Sequence, residues 1–277
     1  FEKFEDLIEY YKNPKEKGLP DKAILLTFDD GYKDHNTYVL PVLLENNIQG
    51  SFYIPTKCFQ DKKVLDVNKI HFILESCIDE EEKILKEIEE YLKKNKDSRI
   101  SLSYDDYFKE YAVDSRFDKK EIIFIKRMLQ VVLPEDYRKK LVDILFKKYV
   151  CTIGDKIISE RAFWEELYLT PEQIRMMEKL GMHIGFHSHD HVWLNSLSKE
   201  EQEFQIKSSI DYFKEIGVKT EKMTLSYPYG GYNEESIELI KKYGIPLAFT
   251  TKVAIADLNK NENYALPRLD TNDFYQG

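Results

Sequence analysis

Six short apolar runs punctuate the chain, each ending on a polar or turn residue: AILLTF (23–28), GSFYIP (50–55), MHIGFH (182–187), KMTLSYP (222–228), LAFTT (247–251) and ALPRL (265–269). Near-continuous apolarity over so few residues suits strands buried on both faces. Amphipathic helical stretches lie between them. YVLPVLLENN (38–47) leads into the second run. Residues 198–217 open on Ser198 followed by acids and close at Gly217, and residues 233–244 run from Asn233 to Gly244 in the same style. Strand–helix–strand alternation predicts an α/β fold with a parallel sheet, open or closed into a barrel.

The pattern changes between about 59 and 170. DEEEKILKEIEEYLKKNK (79–96) has the i,i+4 Glu–Lys pairs of a long solvated helix. Residues 118–133 and 134–150 are further amphipathic helices, with no strand pattern between them. This predicts a helical insertion between the second and third strands, within a single domain covering 1–277. It reads as a solvated cap or as a shaper of the substrate cleft. The chain carries no internal repeat and no low-complexity segment.

Composition narrows the function classes. The chain has 277 residues, 42% of them apolar, and a net charge of −9. An evenly acidic chain argues against nucleic acid as a main partner, because phosphate binding needs clustered Lys and Arg. No apolar stretch approaches the length of a transmembrane helix. FEKFEDLIEY (1–10) is charged and amphipathic, unlike a signal peptide. The compartment stays open: cell envelope, periplasm or outside if a leader was removed before residue 1, and cytoplasm otherwise. Cys58, Cys77 and Cys151 are too sparse for a disulfide framework or a cysteine zinc site, and read as small buried apolar groups. The oligomeric state is not written in the sequence.

Candidate chemistry sits at the ends of three runs. The histidines fall at 35, 71, 183, 187, 189 and 191, and three of them crowd GFHSHDH (185–191). Imidazole is the commonest metal ligand. His187 and His191 share a side if the chain turns after the strand, whereas His187 and His189 share a face if the strand continues. Spacing alone leaves both pairs open. Two histidines need a third ligand for a catalytic metal, and an Asp at a strand's carboxyl end would supply it. TFDDG (27–31) offers Asp29 and Asp30. Neighbouring side chains diverge, so one can face a metal and leave the other as a base. By itself, Asp-Gly would be only a turn. SYPYGGY (226–232) places a tight loop after another strand, with backbone N–H groups available to an oxyanion and Tyr227, Tyr229 and Tyr232 available as a sugar wall.

Taken together, TFDDG, HSHDH (187–191, a His-Ser-x-x-His match) and SYPYG (226–230) resemble the polysaccharide deacetylase family, carbohydrate esterase family 4. The resemblance covers about 22–58 and 170–270. It implies a distorted (β/α)7 barrel that binds a divalent metal, usually zinc, and removes acetyl groups from acetylated glycans. By position it implies Asp30, His187 and His191 as metal ligands and Asp29 as the general base. It also implies that the backbone N–H of Tyr229 helps to hold the oxyanion. His189 matches a variable position and stays outside the ligand set. The metal would polarise the acetyl carbonyl and acidify a water, and an acid would protonate the departing group. The expected activity is N-deacetylation of a bacterial surface polysaccharide. An O-acetyl esterase and a glycan-binding domain that keeps the metal site without catalysis are the alternatives.

Two departures from the family pattern stand out. Many members carry Arg where this chain has Ser226, and Arg268 is the sole arginine after position 175. Arg268 is therefore expected to orient Asp29 from another strand. Many members also have a late histidine acting as acid, and no histidine follows His191. The returning base, or His35, would then supply the proton. His71 and His183 read as structural.

Overall fold

The computed structural model describes residues 1–16, 18–114, 118–258 and 263–274. The chain forms two compact units, Phe1–Lys63 with Trp164–Gly277, and Val64–Phe163. All six apolar runs yield strands of the first unit: β1 (Leu26–Asp29), β2 (Gly50–Ile54), β5 (His183–Phe186), β6 (Leu225–Ser226), β7 (Ala248–Val253) and β8 (Leu266–Arg268). They pair in parallel in the order β1-β2-β5-β6-β7-β8. The resemblance implies seven barrel strands; six form the sheet among the described residues. The sheet is curled. Laid flat, five inter-strand steps of about 4.8 Å would hold its edges about 24 Å apart. Instead Arg268 at the end of β8 reaches Thr27 and Asp29 on β1 at 3.2 and 3.0 Å.

Strand β2 is buried along its whole length, as a strand covered on both faces must be. Tyr53 on β2, Phe249 on β7 and Leu266 on β8 meet Phe4, Leu7 and Ile8 of the helix Phe4–Lys12 in one apolar cluster. A methyl group at Gly185 would lie 2.5 Å from the Tyr53 ring and 2.7 Å from the Thr224 carbonyl, so the run MHIGFH needs glycine at its centre. The predicted helix starts are real. Ser198 and Asn233 each form a capping box for the helices Lys199–Glu215 and Glu234–Lys242.

The second unit holds the helices Asp66–Ser76, Glu81–Lys94, Tyr104–Tyr111, Lys120–Arg127 and Glu135–Phe146. It has its own core, including Ile70, Ile73, Ile84, Ile88, Phe124, Leu141 and Leu145. Residues 59–63 and 164–170 belong to the strand-bearing unit, so the helical body is narrower than its expected bounds. It also contains a small antiparallel hairpin, β3 (Thr152–Ile153) with β4 (Lys156–Ile157), absent from the sequence expectation. Gly154, at φ 58, makes its turn, and strands of two residues are too short to show a period.

Candidate active site

The carboxyl ends of β1, β5, β6 and β8 bring the singled-out residues together. Asp29 is the last residue of β1. Asp30 and Gly31 follow with φ of 71 and 68, and this double left-handed turn sends the two carboxylates apart. Glycine is required at 31, because a methyl group there would also meet the Phe59 ring at 2.7 Å. Asp30 Oδ2 accepts from the Tyr32 hydroxyl at 3.1 Å. Its Oδ1 is buried without a hydrogen-bond partner of good geometry and lies 3.2 Å from His191 Nε2 and 3.6 Å from His187 Nε2. The donor atoms of Asp30, His187 and His191 all lie within 4.8 Å of one another.

The histidine geometry chooses between the two open pairs. His187 extends β5, its N–H bonded to the Ile54 carbonyl at 3.0 Å. The chain then turns through Ser188 at φ 56 and His191 at φ 53, which brings the rings of His187 and His191 to 4.8 Å. His187 Nδ1 lies 2.7 Å from the Ser226 carbonyl. A carbonyl only accepts, so Nδ1 carries the proton and Nε2 offers its lone pair towards Asp30. Burial holds the His187 ring below its ordinary pKa. Burial lifts the Asp30 carboxyl, but His191, His187 and the Tyr32 hydroxyl together outweigh it and keep it below the usual range. A buried oxygen without a partner beside two imidazole nitrogens fits a borderline divalent cation. His189 turns away, its Nδ1 2.8 Å from the Thr56 hydroxyl.

Asp29 is held by a different set. Arg268 Nη1 donates to its Oδ1 at 3.0 Å, and Nη2 donates to its Oδ2 at 2.7 Å. The remaining arginine donors reach the Thr250 carbonyl, Thr27 Oγ1 and Ser226 Oγ. Ser226 Oγ in turn donates to Asp29 Oδ2 at 3.1 Å. Burial raises the Asp29 carboxyl, while His187 and Arg268 outweigh that and hold it low. Asp29 Oδ2 lies 4.0 Å from His187 Nε2, beside the three-residue cluster. Ser226 thus joins the guanidinium network from β6.

The loop after β6 places Tyr229 at φ 57, its ring 4.9 Å from His191. Trp193 stacks on the other side of this contact, 4.9 Å from the Tyr229 ring and nearly parallel. The expected sugar wall therefore needs correction. Tyr227 is fully buried, and its hydroxyl donates to the Tyr264 carbonyl, so it belongs to the core. Trp193 takes the place beside Tyr229; a single tryptophan in a polar loop had no pattern to mark it. His35 is also corrected as an acid. It is buried among Phe28, Tyr32 and Phe52, and burial pushes its pKa down to about 4. His183 is structural, stacked on Phe4 and bonded to Thr224, and His71 lies exposed in the helical unit.

The chain belongs to the polysaccharide deacetylase family, whose sequence model matches residues 16–91 and 133–248. The Bacillus subtilis (strain 168) protein YxkH, whose name carries the words polysaccharide deacetylase, is 32% identical over 102 residues. That match spans 37% of this chain and 36% of YxkH. Among solved structures, the fold is similar to that of the Streptococcus pyogenes deacetylase PplD in complex with acetate, at a TM-score of 0.53 and 17% identity, covering 97% of this chain and 72% of that one. It is similar also to IcaB from Ammonifex degensii, at 0.52 and 16%, covering 97% and 75%. A de-N-acetylase from Aggregatibacter actinomycetemcomitans matches at 0.51 and 14%, covering 97% and 76%. The α/β fold with its curled parallel sheet is thus shared with known deacetylases.

Proposed function

We propose that this chain hydrolyses acetyl groups, N-acetyl foremost, on sugars of a bacterial surface polysaccharide at the cell envelope. Asp30, His187 and His191 would hold a divalent metal there, zinc before others. One observation carries the reading: a buried Asp30 oxygen without a partner converges with two imidazole nitrogens, while the neighbouring Asp29 is clamped by another side chain. A divalent ion in that position would supply a Lewis acid for the acetyl carbonyl and acidify a water molecule.

The remaining work belongs to the chain. Asp29 takes the proton of the attacking water. Arg268 and Ser226 fix the orientation of its carboxylate, so the base does not swing when the proton arrives. The Tyr229 N–H, in the loop whose ring touches His191, holds the developing oxyanion. The Trp193–Tyr229 stack walls the sugar. With no histidine after His191, Asp29 returns its proton to the departing amine.

The same missing histidine favours a second reading, a non-catalytic glycan-binding domain. Acetate release from N-acetylglucosamine oligomers and from O-acetylated xylan separates the two. The expected result is release from the first, abolished by a chelator and restored by zinc. Release from xylan alone would make the protein an ester hydrolase. No release from either substrate by metal-loaded protein would leave binding without catalysis.

A further inference from the structure

The turn carrying His187 and His191 depends on an uncommon backbone. Ser188 and His191 both sit at positive φ without being glycine, and such conformations persist where neighbours over-determine them. The neighbours here are specific. Gln205, on the helix Lys199–Glu215, is 5% exposed, and its side-chain oxygen accepts from the backbone N–H groups of both His189 and Asp190, at 3.1 and 2.7 Å. Its amide nitrogen donates to Asp190 Oδ2 at 2.7 Å. Asp190 is also paired with Lys57 at 2.5 Å. From the other side, the N–H groups of Thr56 and Lys57 donate to the carbonyls of Ser188 and His189.

We infer that Gln205 is a positioning residue that sets the separation of the two ligand imidazoles. Its side-chain hydrogen bonds go to the turn's backbone and to Asp190, not to the two imidazoles. One oxygen gathers two consecutive N–H groups in the middle of the turn, so those two peptides can point only one way. That orientation carries His191 back over His187, where their rings meet. An apolar side chain of equal length would fill the same space but remove the acceptor that gathers both N–H groups. The turn would then relax, and the two imidazoles would separate.

This inference rests on the metal-site reading above, and cobalt(II) binding tests the two separately. Metal-stripped protein is titrated with Co(II), following its visible absorption, for the unmodified chain and for Gln205→Met, Gln205→Glu and Gln202→Leu. Gln202 is equally buried on the same helix but bonds Ser236 and the Leu197 carbonyl, so it reports general loosening of that helix. Gln205→Met is expected to lose about tenfold or more in Co(II) affinity, as outer-shell changes typically do. Its amides at 189 and 190 are expected to exchange faster with solvent. Gln205→Glu still accepts both N–H groups but turns a carboxylate oxygen towards Asp190 Oδ2, so it is expected to recover only part of the affinity. Absence of Co(II) binding by the unmodified chain would overturn the metal-site reading. Binding there with unchanged affinity in Gln205→Met, or an equal loss in Gln202→Leu, would overturn the role of Gln205 alone.

Discussion

At the scale of residues, two adjacent aspartates have been given unlike surroundings. Asp30 faces two imidazoles and a tyrosine hydroxyl, whereas Asp29 faces a guanidinium and a serine. If Asp29 is the base, Asp29→Asn removes proton uptake but leaves the three ligands in place. The expectation is a fall in acetate release of about 10²- to 10⁴-fold with metal content unchanged by elemental analysis. Arg268 is the harder residue to replace. Arg268→Ala would leave the partly buried Asp29 carboxylate with Ser226 but without its counter-charge, and part of the about 3–5 kcal/mol lost when a fully buried pair is broken is expected. Its denaturation midpoint should fall together with its activity. Arg268→Lys keeps the charge but cannot present the forked pair of donors, and is expected to regain more stability than turnover. A denaturant titration beside an activity assay checks both. Arg268 was legible because it is the sole late arginine on a strand end; Ser226 as its partner was not, because a lone serine at a strand end has no signature.

At the scale of elements, the strands hold two histidines in apolar company. His183 on β5 is stacked against Phe4, and burial pushes its pKa down to about 4 from an ordinary 6.5. The unfolded chain binds the proton first, so between those values it holds more protons than the folded one. Stability is therefore undiminished above about pH 6.5 and is lost as pH falls towards 4. At about 1.4 kcal/mol per pH unit, the full loss from this group is about 3.5 kcal/mol. His183→Gln should flatten the pH dependence of the unfolding free energy between pH 6.5 and 4.5. Equal slopes for the variant and the unmodified chain would refute the assignment. His35 contributes in the same direction from its aromatic surroundings. The strands themselves were readable because each is an apolar run bounded by turn residues. β1 is shorter than its run, since residues 23–25 lie before the ladder begins at Leu26.

At the scale of the whole molecule, the curled sheet makes the site possible. Asp29 and Arg268 come from the first and last strands, and only curvature brings those edges within one side chain of each other. A metal held by Asp30, His187 and His191 would tie β1 to β5 in the same way. Binding to the folded chain alone stabilises it by about 2.7 kcal/mol at a hundredfold excess over the dissociation constant. Chelator should therefore lower the melting temperature, and zinc should restore it; an identical melting curve with and without zinc would count against the metal site. No helix among the described residues is long and apolar enough to cross a membrane.

The sequence by itself determined the strand–helix alternation, the helical stretch between β2 and β5, and the short motifs whose residues gather at the candidate site. These depend on local pattern: apolar runs, caps, and short motifs whose members lie within a few residues. Tertiary structure decided which histidine pairs with His187, since that depends on a turn between two left-handed residues whose middle N–H groups bond a distant glutamine. It also decided that Tyr227 is core while Trp193 lines the site, and that Ser226 and Arg268 share one carboxylate. Each of these is a contact between segments far apart in the chain, and such contacts leave no periodicity for a sequence to show.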